Sequence, residues 1–99
     1  NIKSNKITKL NYTYGAVYHQ YVILIKKRKK FIELLDKSKI PYSFHYPKAI
    51  HELDVFRKRF RKEKYINAEK ISQEGISIPI DPNLSKTNLK YIIKILNSF

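Results

Sequence analysis

Only once in this chain does an uninterrupted apolar run reach five residues, at Tyr21 to Ile25, and that run sets the terms for everything around it. It is far shorter than the ~20 residues a membrane-spanning helix needs. Its β-branched and aromatic composition is that of a strand. With the residues before it, AVYHQYVILI from Ala16 to Ile25 contains neither Pro nor Gly, and it predicts a strand whose second half is buried on both faces. Such a strand needs neighbours and a covering layer, and 99 residues hold material for one core.

The covering layer is read from spacing. In RKKFIELLDKSK, Phe31, Ile32, Leu34 and Leu35 form a helical stripe opposite lysines. That helix must stop by about Lys39, because Pro41 pushes Ile40 out of helical geometry. Pro41 to Phe44 fits a short strand. Ile50, Leu53, Phe56 and Phe60 then predict a second helix from about Ala49. Asn67 suits the N-cap of AEKISQ, which Gly75 closes. ISIPI reads as a brief strand, edge or terminal because of Pro79. In the last helix Ser85 is the N-cap, Leu84 and Leu89 form a hydrophobic staple, and Leu89, Ile92, Ile93, Leu96 and Phe99 share one face. Residues 1–15, polar and ending on Gly15, read as a lead-in with room for one edge strand. The expected fold is a small α/β (α+β) layer, with a sheet of short strands covered by helices chiefly on one face.

Charge adds a second constraint. With 21 basic and 8 acidic side chains the net charge is +13, a self-repelling excess that calls for an anionic partner or a larger, more acidic body. The chain holds no Met and begins on Asn1, so it is expected to be cut from something longer. The absence of Cys excludes disulfides, thiolate zinc sites and a cysteine nucleophile. No signal-peptide pattern is present, and a cytoplasmic location is expected. Two basic runs, Lys26 to Lys30 and Arg57 to Lys64, together carry eleven of the cationic side chains. They fit either solvated lysine faces or a nucleic-acid footprint.

Three histidines lack any metal-ligand spacing, and no metal is expected. His19 is expected mid-strand as a partly buried imidazole, and His51 at a helix start facing solvent. FHYP sets His45 and Tyr46 side by side at a strand end, fixed by Pro47, where an imidazole and a phenol can bind anionic or hydroxyl-rich ligands. There is no Gly-rich phosphate cradle, no nucleophile elbow and no evident catalytic carboxylate pair, so no catalytic residue is assigned.

YHQYVILI, Arg28 opening a helix, KIPYSFHYPKAIH, NAEKISQEGISIPIDPNLS and YIIKILNSF follow one another in an order that resembles a known family. Residues 16–99 are similar to the C-terminal part of the pyridoxal-phosphate-dependent sugar aminotransferases of the DegT/DnrJ/StrS kind. The resemblance implies the small C-terminal domain of the aspartate-aminotransferase fold, with 1–15 as linker and the large cofactor-binding domain outside this chain. It places the Schiff-base lysine and the phosphate-binding residues upstream, so no lysine here is given that role. It implies that His45 and Tyr46 bind the nucleotide-sugar substrate, in an enzyme that is a homodimer when complete. Its reaction moves an amino group from an amino acid such as glutamate to a nucleotide-linked keto sugar.

Three positions depart from the family pattern: Lys39 where a Gly precedes Ile-Pro, Lys27 where an Asn caps the first helix, and Gly75 where an apolar residue precedes the short strand. Two rivals remain, a stand-alone basic module for nucleic acid and an inactive truncated remnant.

Overall fold

In a computed structural model describing residues 1–11, 13–60 and 62–99, the apolar run becomes the middle strand of a three-stranded antiparallel sheet. The elements in chain order are β1 (Thr8–Lys9), β2 (Tyr21–Leu24), α1 (Arg28–Lys37), a 3-10 turn (Ile50–Glu52), α2 (Asp54–Arg57), α3 (Ile66–Glu74), β3 (Gly75–Ile78) and α4 (Lys86–Asn97). The sheet order is β1-β2-β3, with Lys9 opposite Ile23, Ile23 opposite Ile76 and Val22 opposite Ser77. The fold is the expected small α/β layer.

Strand alternation divides the sheet into two unlike faces. Ile23, Ile25, Ile76 and Ile78 point to one side and pack with Phe31 and Leu35 of α1 and Ile92 and Leu96 of α4. Ile23, Ile25, Phe31, Leu35 and Leu96 are fully buried. The Phe31 ring meets Phe99 edge-on at 4.9 Å between centroids, an arrangement worth about 1 kcal/mol beyond its buried area. The lead-in contributes too. It carries the edge strand β1, and its Ile7 is buried in the core.

Both long helices lie close to their expected bounds. α1 ends as Pro41 requires, through Lys39 in the left-handed region at φ 54°, with Lys39 N–H donating to Asp36 O at 3.0 Å and Ile40 N–H to Leu35 O at 2.9 Å. These are the two bonds of a Schellman ending. Its N-cap, Lys27, makes no side-chain capping bond. In α4, Ser85 Oγ accepts from Asn88 N–H at 3.1 Å, the expected cap.

Other expectations need correction. The strand from Ala16 to Ile25 shrinks to Tyr21–Leu24, because β3 offers only four partner residues. Val17 is left 95% exposed, and His19 is exposed outside the sheet rather than mid-strand. The strand from Pro41 to Phe44 is a single bridge, Ser43 to Ser77. The helix from Ala49 breaks at Leu53, whose backbone is extended at φ −67°, ψ 143°. There Glu52 closes the turn on itself, its N–H donating to Ala49 O and its carboxylate accepting from Ala49 N–H, both at 2.9 Å. No residue of that turn or of α2 is buried, so packing does not join them. α3 starts at Ile66 rather than after Asn67. Glu69 replaces the expected cap by accepting from Tyr65 N–H at 3.0 Å.

Candidate functional site

The face of the sheet turned away from the helical core carries a different set of side chains. Val22 and Leu24 of β2 and Ser77 of β3 share it by register. Ser43 joins them through its bridge, in which each serine N–H donates to the other's carbonyl, at 3.1 and 2.9 Å. Around these residues opens a shallow cleft of about 130 Å³. Gln20, Ser43, His45, Tyr46 and Ser77 provide its polar lining, with Leu10, Val22 and Ile71 among the apolar residues.

His45 and Tyr46 therefore stand where a ligand can reach them, both exposed and Tyr46 71% so. His45 is held at both ring nitrogens, Nδ1 lying 3.0 Å from Gln20 Nε2 and Nε2 lying 3.2 Å from Ser43 Oγ. Ser77 is buried at 6% exposure, and its Oγ has no hydrogen-bond partner among the described residues. The cleft therefore sets hydrogen-bonding side chains beside apolar ones. Gln20, Ser43 and Ser77 escape a sequence reading, because only the register brings them together. The one available signal is the i, i+2 spacing that puts Ser43 and His45 on one side of an extended chain.

The other histidines lie elsewhere. His51 is not solvent-facing. Its Nε2 is 3.1 Å from Glu69 Oε1, its side chain is 12% exposed, and its ring lies tilted against Tyr65 at 4.8 Å between centroids. The Tyr65 hydroxyl donates to Glu63, and that bond, helped by burial, holds the phenol above the ordinary tyrosine range. No cluster of three potential metal ligands occurs among the described residues.

The basic runs do not form one uniform face. Arg28 is half-buried, its Nη1 donating to Ser72 O at 2.7 Å and Gly75 O at 3.1 Å, with the guanidinium 4.9 Å from the Phe44 ring centre. In the second run Phe60 packs against Phe56 and Tyr65 and beneath Arg59, so its ring is already used. Arg61 lies outside the described residues. Every lysine of the chain is exposed.

Comparison with known proteins adds independent findings. The family model described as the DegT/DnrJ/EryC1/StrS aminotransferase family matches residues 2–97. The dTDP-3-amino-3,6-dideoxy-alpha-D-galactopyranose transaminase of Aneurinibacillus thermoaerophilus is 26% identical over 83 residues, which cover 84% of this chain and 23% of that protein. The pleiotropic regulatory protein of Geobacillus stearothermophilus is 31% identical over 84 residues, again 84% of this chain and 23% of that protein. The crystal structure of S. venezuelae DesV in complex with a ketimine intermediate superposes with a TM-score of 0.80 at 19% identity, covering 94% of this chain and 26% of that one. This chain thus spans about a quarter of the length of the proteins it matches.

Proposed function

Because the chain belongs to the DegT/DnrJ/EryC1/StrS aminotransferase family, we propose that it is the C-terminal, substrate-side portion of a pyridoxal-phosphate-dependent enzyme. That enzyme transfers an amino group from an amino acid to a nucleotide-linked keto sugar. Residues 16–99 form the small domain, with 1–15 leading into it. The observation that carries this reading is the cleft at His45 and Tyr46, which sets hydrogen-bonding groups beside apolar side chains on the sheet face opposite the core. The relative that makes a dTDP-linked amino sugar supports the substrate class.

The cofactor, when bound, supplies the electron sink for the transfer, and its lysine belongs to a large domain outside these residues. The work of this chain is binding. His45 and Tyr46 hold the sugar nucleotide from the small-domain side in an assembled homodimer. The complete protein with His45→Ala and Tyr46→Phe should bind nucleotide sugar about ten- to a hundredfold more weakly, with the visible absorbance of the bound cofactor unchanged. Loss of that absorbance would overturn this division of roles. A saturable complex with nucleic acid that weakens by roughly 10³ to 10⁵ between about 50 and 200 mM salt would favour the basic-module rival instead.

A further inference from the structure

Donor and acceptor chemistry fixes the direction of the hydrogen bonds around His45. An amide NH₂ can only donate, so Gln20 Nε2, at 3.0 Å, requires His45 Nδ1 to accept. A neutral imidazole then carries its proton on Nε2, and that N–H donates to Ser43 Oγ at 3.2 Å. Both ring nitrogens are thereby committed within the chain. The Ser43 oxygen accepts this bond, so the hydroxyl hydrogen of Ser43, an exposed residue lining the cleft, is left to donate elsewhere. Beside it on the same face stands Ser77, its strand partner, with a buried hydroxyl that has no partner among the described residues. The Ser77 oxygen is covered, so of the two hydroxyls it is the exposed one of Ser43 that a ligand in the cleft can meet.

The geometry points to Ser43 as the group that donates to the sugar, to a hydroxyl or the ring oxygen of the unit seated in the cleft. Gln20 is a positioning residue that orients the His45 ring, and the hold of His45 on the sugar proposed above runs through its bond to Ser43. This assignment rests on the sugar-nucleotide reading above and says which atom meets the sugar.

The test is calorimetric titration of the complete protein with two probes, dTDP-3-amino-3,6-dideoxy-α-D-galactopyranose and dTDP alone. Ser43→Ala should weaken the sugar-bearing probe about three- to tenfold, the worth of one hydrogen bond, and leave dTDP unchanged, while Ser43→Thr restores the affinity. Gln20→Ala should weaken the same probe, and adding it to Ser43→Ala should cost nothing more, because the two act in series. Equal affinity of Ser43→Ala and the parent for the sugar probe overturns the assignment, as does equal weakening of both probes. Additive losses from Gln20 and Ser43 overturn the positioning role of Gln20. Failure of the parent to bind either probe overturns the sugar-nucleotide reading itself, and equal binding of both probes overturns only the sugar contact. If Ser43→Ala lowers the melting temperature too far for titration, Gln20→Ala decides, since it must weaken the sugar probe alone.

Discussion

Lys39 holds its backbone at φ 54°, in the left-handed region, at the turn that closes α1. A side chain there costs about 1–2 kcal/mol against the following carbonyl, and the turn tolerates it because the Schellman bonds and the burial of Ile40 fix the exit. Lys39→Gly should therefore stabilise the protein by roughly 0.5–1 kcal/mol, after the extra freedom glycine has when unfolded. The check is a higher urea midpoint at unchanged slope; no gain would mean that the lysine stem compensates through contacts of its own. Arg28 teaches a related point at the same scale. In the sequence it is one cation in a run of five, yet its bonds to two carbonyls tie the start of α1 to the α3–β3 junction.

That junction has no loop, since α3 ends at Glu74 and β3 begins at Gly75. The direct turn requires glycine at 75 for space rather than for φ, because an added Cβ would stand 2.4 Å from the carbonyl oxygen of Ile71. Gly75→Ala should destabilise by roughly 1–3 kcal/mol, read as a fall in melting temperature; an unchanged value would mean that helix and strand can separate without cost. Elements were legible in the sequence wherever local pattern and tertiary contact agree. α1 and α4 carry apolar stripes that meet the sheet, and Ser85 is a cap by chemistry alone. Residues 16–20 look like strand but pair with no strand among the described residues, and Ile50, Leu53 and Phe56 keep helical spacing over a segment in which none of the three is buried. The site divides in the same way. His45 and Tyr46 stand out because FHYP is unusual chemistry, whereas Gln20, Ser43 and Ser77 are ordinary residues that only strand pairing makes neighbours.

The molecule as a whole is extended, with a radius of gyration of 15.4 Å and axes of 49, 33 and 23 Å. A closed domain of this length has a radius nearer ~13 Å. Val55 at 85%, Ile66 at 74% and Ile50 at 68% remain exposed on the limb formed by the 3-10 turn, α2 and α3. The net charge of +13 is likewise little offset, with only the His51–Glu69 and Arg57–Asp54 pairs among the described residues. Self-repulsion of that size is screened as the Debye length falls below about 10 Å above ~0.1 M salt. Moving from low to physiological salt should raise the melting temperature by about 2–4 °C if screening relieves ~0.5 kcal/mol; a fall would show that attractive pairs dominate. The cleft takes its walls from Gln20, from Ser43 to Tyr46 and from Ser77, stretches of chain far apart in sequence. An occupant there stitches the beginning, middle and end of the polypeptide together. Its affinity is then also an increment to folding, about 2.7 kcal/mol when its free concentration is about a hundred times its Kd.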